Sequence, residues 1–194
     1  MPSPRRSDPE GFRYRPDLIS PAEEQALLRA VEGLPFRAFE FQGWTGKRRT
    51  VSFGWHYDFG ERSLQPAEPL PEFLLPLRAA AAAFTDLAPA DLVHALVTEY
   101  GPGAAIGWHR DKAVFGDVVG ISLRSPCRFR FRRKAGSGWE RFSLTLEPRS
   151  AYLLRGPSRA EWEHSIPAVD EPRYSITFRS LRAAGRPRVA RSGS

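Results

Sequence analysis

Arg173-Tyr174-Ser175-Ile176-Thr177-Phe178-Arg179 changes polarity at every residue. Successive side chains of an extended strand point to opposite faces. The stretch therefore predicts a strand with Tyr174, Ile176 and Phe178 against a core and Arg173, Ser175, Thr177 and Arg179 on the other side. A guanidinium held away from water requires an anionic partner. At about 3.3 Å per residue the two arginine Cα atoms lie roughly 20 Å apart, so both side chains must lean inward on whatever they share. A short dianion lying along the strand suits such a pair.

Upstream, strands are predicted at 93–100, 106–110, 118–124, 127–133, 140–146 and 150–155, besides 173–180. Turns fall at Gly101-Pro102-Gly103, Ala135-Gly136-Ser137-Gly138 and Gly156-Pro157. Before residue 93 the pattern is helical. Ser20-Pro21-Ala22-Glu23 reads as a capping box with proline at the first helical position, opening a helix to about Gly33 with Leu27, Leu28 and Val31 on its apolar face. A second helix is expected over 71–86, where Phe73, Leu77, Ala81 and Phe84 fall near a helical period and Pro76 either kinks it or marks its start. Helices followed by strands predict an α+β, mainly β domain, a double-sheet jelly roll braced by N-terminal helices. Residues 1–11, dominated by Pro, Ser and charge, are expected to be disordered. One domain then fills 12–181, divided into helices and a recognition segment over 12–92 and the β core over 93–181, and 182–194 form a basic disordered tail.

His109 and Asp111 stand one residue apart at the end of an apolar stretch, and His164 follows. Two imidazoles and one carboxylate are the donor set that holds a non-haem Fe(II) on one face and leaves three positions open. Residues i and i+2 of a strand point the same way, so His109 and Asp111 can reach one ion without special backbone geometry.

Composition narrows the surroundings of this chemistry. At 194 residues the chain fits one domain with a sizeable core. The single cysteine, Cys127, rules out an internal disulfide and suits a reducing cytosol. No apolar run approaches the roughly 20 residues of a membrane span. The opening Met-Pro-Ser-Pro-Arg-Arg has no signal-peptide core. A cytoplasmic monomer, free of membrane, is the expectation. The net charge of +7 includes four arginines of the tail (Arg182, Arg186, Arg188, Arg191), so the rest carries 7 − 4 = +3. Local clusters say more: Lys47-Arg48-Arg49, and Arg128, Arg130 and Arg132 alternating with Cys127, Phe129 and Phe131 ahead of Arg133-Lys134. The second cluster predicts a strand with an apolar inner and a basic outer face, which is either plainly solvated or in contact with phosphates.

Taken in order, Tyr100-x-Pro102-Gly103, His109-x-Asp111, His164 and Arg173-x5-Arg179 resemble the AlkB-type Fe(II)/2-oxoglutarate dioxygenases over about residues 93–180, with a weaker match upstream to about residue 44. The resemblance implies a double-stranded β-helix with iron at its open mouth, ligated by His109, Asp111 and His164. It further implies 2-oxoglutarate with its distal carboxylate on Arg173 and Tyr100, Arg179 near the keto-acid end, and O2 as co-substrate. Oxidative decarboxylation to succinate and CO2 would hydroxylate a C–H bond of the substrate, and a hydroxylated N-methyl group would leave as formaldehyde. Two positions depart from the family's nucleic-acid-active members. Thr98 stands where many have asparagine beside the cosubstrate, and Ala113 where some carry an acid that recognises cationic lesions.

Such members use a segment before the β-helix to extrude the damaged base. Here that place is held by Lys47-Arg48-Arg49-Thr50-Val51-Ser52-Phe53-Gly54-Trp55-His56-Tyr57-Asp58-Phe59. Lys47, Arg48 and Arg49 would meet phosphates and Trp55 or Tyr57 would stack on the base; equally, Phe53, Trp55, Tyr57 and Phe59 read as the inward face of an ordinary strand. The implied substrate is alkylated single- or double-stranded DNA, with RNA, a protein or a small molecule as rivals using the same iron centre, and a non-catalytic β-sandwich as the bland reading.

Overall fold

The computed structural model describes residues 8–41, 44–58, 63–66 and 68–182, without side chains at 39–41, 44–46, 56–58, 63, 64 and 66. The expectations for residues 1–7 and 183–194, and for the side chain of Tyr57, lie outside it. In chain order the elements are β1 (Phe12–Arg15), α1 (Pro21–Glu32), β2 (Arg37–Phe41), β3 (Trp44–Asp58), β4 (Ser63–Pro66), α2 (Leu75–Thr85), β5 (Leu92–Tyr100), β6 (Ile106–His109), β7 (Phe115–Leu123), β8 (Cys127–Ala135), β9 (Gly138–Leu146), β10 (Ala151–Leu154), α3 (Pro157–Ala160), β11 (Glu163–Ile166) and β12 (Arg173–Leu181). They build two antiparallel sheets. The larger runs β1-β10-β7-β12-β5-β3-β2 with β4 beside β3, and the smaller runs β6-β11-β8-β9. This is the mainly β jelly roll that the alternating strands predict.

Helix α1 starts and stops where its caps say. Ser20 Oγ accepts the Glu23 N–H, the Glu23 carboxylate accepts the Ser20 N–H at 2.7 Å, and Gly33 closes the helix. Pro76 sits in the first turn of α2, so it marks the start of the helix rather than a kink. Both helices cover one face of the large sheet. Val31, Leu77, Ala81, Val97, Ile176 and Phe178 are fully or almost fully buried there. Phe12, Val118, Phe129, Phe131, Leu146 and Leu154 fill a second core between the sheets.

Four differences from the predicted elements matter. Residues 8–11 are ordered, since β1 docks on β10 (Phe12↔Leu154) and the Gly11 carbonyl accepts the Arg155 N–H at 3.1 Å. The segment expected to hold helices also contributes β1 to β4. Strand β6 ends at His109, leaving Asp111 in the following turn rather than in line with it. Strand β11, carrying His164, is absent from the predicted set; at four residues, Glu163–Ile166, it is too short for periodicity to mark.

Candidate metal centre and cosubstrate cavity

The smaller sheet brings the two histidines together. His164 lies directly opposite His109 in the β11–β6 pairing, with ring centroids 4.2 Å apart. His109 Nδ1 is 2.9 Å from the Gly107 carbonyl. Placing the proton on Nδ1 makes that contact a donated hydrogen bond and leaves the Nε2 lone pair for an ion. The carboxylate of Asp111, 6% exposed, has Oδ2 at 3.6 Å from His164 Nε2 and Oδ1 at 2.8 Å from Arg179 Nε, which donates to it.

Electrostatics fix the charge states this arrangement needs. Burial, reinforced by the neighbouring His109, lowers His164 to about 3. His109 is also lowered, chiefly by burial, against the opposing bond to Gly107. Burial pushes Asp111 up, but the positive field of Arg179, with Arg159 behind it, outweighs it and holds the carboxyl well below the usual range. Two neutral imidazoles and one anionic carboxylate are the protonation states in which these groups coordinate metal.

The fit to an ion is close but not closed. Two donors bound at right angles to a first-row ion at about 2.1 Å stand about 3 Å apart, and the 3.6 Å between His164 and Asp111 exceeds this by some tenths of an ångström. Accordingly, no three His, Cys, Asp or Glu side chains among the described residues already form a cage.

Beside these residues lies a cavity of about 860 Å³ between the sheets. The alternation predicted for β12 holds in full. Arg173, Ser175, Thr177 and Arg179 all line the cavity, while Tyr174, Ile176 and Phe178 pack under the helices. Strand β5 contributes His94, Leu96, Thr98 and Tyr100 in the same way. Arg173 is the most informative group. It is 1% exposed, yet only Nη2 is bonded, to Ser122 Oγ at 2.9 Å, while Nε and Nη1 have no partner. Its guanidinium carbon stands 4.8 Å over the Tyr100 ring, and Tyr100 is its cross-strand neighbour. A buried guanidinium with two unused donors facing a cavity fits a carboxylate ligand. Thr98 lies next along β5 at 4% exposure, so its hydroxyl faces the same space.

The segment from Lys47 to Tyr57 divides. Arg48 pairs across from Tyr100 and lines the cavity, whereas Arg49 points to the opposite face, bonded to Glu99 and 5.7 Å over the Phe36 ring. Alternation separates the two, so the basic triplet does not act as one patch. Lys47 is exposed, its Nζ near Gly103 at the cavity's edge. Trp55 is half-buried beyond Gly54, whose φ of +81° bends β3 away from β5 towards β4. Trp55 is not among the described residues that line the cavity.

Sequence reasoning missed four participants. His94 Nδ1 accepts from Arg179 Nη1 at 3.3 Å; its signal was the two-residue alternation of β5. Ser122, the one bonded partner of Arg173, gave none. Arg159 of α3 donates to the carbonyls of Lys112 and Phe115 at 2.5 and 3.1 Å, clamping the turn after Asp111. Tyr152 lines the cavity over Gly120, where a Cβ would stand 2.2 Å from its ring, so this strand pair requires glycine.

The sequence pattern of the 2OG-Fe(II) oxygenase superfamily matches residues 11–182. The chain belongs to that superfamily. This oxygenase is of AlkB type. It is 30% identical over 200 residues to the alkylated DNA repair protein ALKBH8 homolog of Arabidopsis thaliana, covering 89% of this chain and 56% of that protein. It is 32% identical over 159 residues to the mitochondrial alpha-ketoglutarate-dependent dioxygenase alkB homolog 7 of Bos taurus, covering 78% and 65%. The oxygenase thus spans less than two thirds of either relative. The structure of OsALKBH1 superposes with a TM-score of 0.65 over 91% of this chain and 99% of that one, at 18% identity, which speaks to the fold. Fe(II) and 2-oxoglutarate are the family's cofactors. The described residues include no helix long and apolar enough to cross a membrane.

Proposed function

We propose that this oxygenase removes alkyl groups from nucleic-acid bases, DNA in the first place, by oxidative demethylation. His109, Asp111 and His164 would hold Fe(II); Arg173, with Tyr100 and Thr98, would hold the distal carboxylate of 2-oxoglutarate. Arg179 would fix the free oxygen of Asp111 and, through His94, the floor beside it. Bound there, iron and cosubstrate supply oxidative decarboxylation: 2-oxoglutarate and O2 give succinate and CO2, and one oxygen atom enters a substrate C–H bond. A hydroxylated N-methyl group then breaks its C–N bond to release formaldehyde, returning the proton to nitrogen. The chain's own part is to orient both molecules and to keep the pocket dry.

The observation that carries the substrate class is the charge around the cavity. Among its described lining residues Arg48, Arg110, Lys112, Arg173 and Arg179 are cationic and Asp111 is the single acid. Iron, Asp111 and the cosubstrate dianion would engage Arg173 and Arg179, and Arg48, Arg110 and Lys112 add further positive charge to the same lining. Such a lining attracts a polyanion. With Ala113 exposed where an acid would recognise a cationic lesion, it favours a neutral methylated base. The name of the Arabidopsis relative, an alkylated DNA repair protein, points the same way; that of the bovine relative specifies no nucleic acid, so a protein or small-molecule hydroxylase is the rival.

The test is incubation with Fe(II), 2-oxoglutarate and a panel of singly methylated DNA and RNA oligonucleotides, scored for succinate, formaldehyde and loss of one CH2 by mass. Methyl loss from a neutral lesion is expected. Succinate without methyl loss from any oligonucleotide would leave the family assignment standing and reject the substrate.

A further inference from the structure

The outer face of the smaller sheet has no place in the site just described, yet it gathers a dense set of cations. Cross-strand registers identify its members. Arg128, Arg130, Arg132 and Lys134 alternate along β8; Thr145, Ser143, Arg141 and Trp139 face them from β9; Ser165 and Glu163 stand opposite Arg130 and Arg132 on β11. Trp108 reaches over from β6. That is five cations against one carboxylate, a net of four positive charges on one face, when the whole chain without its tail carries only three. Among these cations Arg132 meets Glu163 at 2.6 Å. Arg128 and Arg130 donate instead to the hydroxyls of Ser143 and Ser165, at 2.5 and 3.1 Å, which satisfies their geometry without neutralising them.

Aromatic rings interleave with these charges. The Arg130 and Arg132 guanidiniums lie 5.0 and 4.5 Å from the Trp108 ring, and Arg132 and Lys134 lie 4.3 and 5.3 Å from Trp139. Trp139 is 40% exposed, one of two large apolar side chains so exposed among the described residues. A shallow groove of about 410 Å³ runs between Trp108, Arg130, Arg141 and Ser143. Trp108 lines both this groove and the larger cavity, so the charged face adjoins the candidate site.

We infer that this face is a track for single-stranded nucleic acid, holding the strand that flanks the base presented to the cavity. Alternate residues of a strand repeat about every 6.6 Å, close to the distance between successive phosphates of an extended single strand. Arg128 and Arg130 are therefore spaced to meet neighbouring phosphates, and Lys134, four residues further along β8, to meet one two steps on. The exposed indole supplies a stacking surface indifferent to sequence, and cations stacked against the rings hold them in place. The inference rests on the nucleic-acid reading above and adds where the strand runs.

The experiment measures binding of a fluorescent, unmethylated oligothymidylate to the full chain across a salt series. It compares the parent protein with the triple variant Arg128→Ser, Lys134→Ser, Arg141→Ser and with Trp139→Ala. All four residues are exposed, so the variants should fold, which thermal melting checks. The triple variant should lose about two units of salt slope, one for each of the phosphate contacts of Arg128 and Lys134. Trp139→Ala should weaken binding at least about fivefold. Succinate formation without oligonucleotide should be unchanged in both. Unaltered affinity and slope in the triple variant, with methyl removal intact, would overturn the track and leave the demethylase reading standing. Binding through this face by a protein that demethylates no oligonucleotide would do the reverse. Duplex binding as tight as single-strand binding, and insensitive to Trp139→Ala, would overturn the single-strand assignment.

Discussion

Arg173 gives the sharpest test of the cosubstrate site, because its structure makes two opposite demands. Without ligand, a guanidinium 1% exposed with two unpartnered nitrogens is a burden on the fold. Replacing an uncompensated buried charge by an apolar group of similar length is often neutral or stabilising by about 1 to 4 kcal/mol. Arg173→Met should therefore leave the ligand-free protein at least as stable, at roughly 2 to 4 °C of melting temperature per kcal/mol. With ligand, the same change removes the charged partner of a buried carboxylate, a loss of about 2 to 5 kcal/mol, or roughly 30- to 5,000-fold in affinity for 2-oxoglutarate. Thermal melting with the redox-inert Mn(II), with and without 2-oxoglutarate at about 100 times the parent's Kd, reads both effects. The parent should gain about 2.7 kcal/mol from the ligand; a variant binding 30-fold more weakly should gain only about 0.9 kcal/mol. Arg173→Lys should fall between, since one ammonium cannot reproduce the planar fork. An undiminished ligand-induced shift in Arg173→Met would refute the assignment, and a ligand-free variant that melts far below the parent would make Arg173 a structural residue.

Other expectations follow from the same geometry. His109→Ala, Asp111→Ala and His164→Ala should each abolish succinate formation, measured directly; turnover surviving in any of them rejects that residue as a ligand. Asp111→Ala should also destabilise the fold, on the order of 3 kcal/mol, because it strands the nearly buried Arg179; denaturant midpoints decide this. Arg48→Ser should impair turnover of methylated oligonucleotides while Arg49→Ser, which breaks only a half-exposed pair with Glu99, leaves it intact; equal effects would restore the basic triplet as one patch. The metal-free protein should lose stability as pH falls from about 6.5 towards 3. His164, held neutral to about 3, then charges only on unfolding, and Asp111, whose folded value is depressed, adds a loss of the same sign below its unfolded value near 3.8. A flat profile over that range, by melting temperature, would contradict the burial of these groups.

The legible parts of this protein were those governed by short-range rules. Alternation placed Arg173 and Arg179 on one face of β12 and Tyr174, Ile176 and Phe178 on the other, because strand geometry alone dictates it. Caps placed α1 for a similar reason. Sequence order could not show which strands become neighbours. His164 faces His109 only because β11 inserts between β6 and β8, and Ser122 reaches Arg173 across fifty-one residues of chain. Arg49 shows the same limit from the other side. A run of three basic residues looks like one patch in sequence, but adjacent strand residues face apart, and only the β3–β5 register reveals that Arg48 is the member facing the cavity.

That register also explains why the site stands where it does. Tyr100 lies between Arg48 and Arg173 in adjacent strands, so one cross-strand row carries a cavity-lining cation, a ring and the buried Arg173. Six residues along β12, Arg179 reaches Asp111 from the same face. The proposed cosubstrate contact at one end of this strand and the partner of Asp111 at the other are thus joined by hydrogen-bonded backbone rather than by a loop. The price is a face of the large sheet that carries charge instead of core, and it is sustained because the opposite face, packed under α1 and α2, buries Val97, Ile176 and Phe178 completely. An insertion of one residue within β12 would exchange the two faces, placing Ile176 in the cavity and a guanidinium under the helices. Loss of the fold, and not merely of activity, is the expected result, because the strand that lines the cavity is also the central strand of the main core.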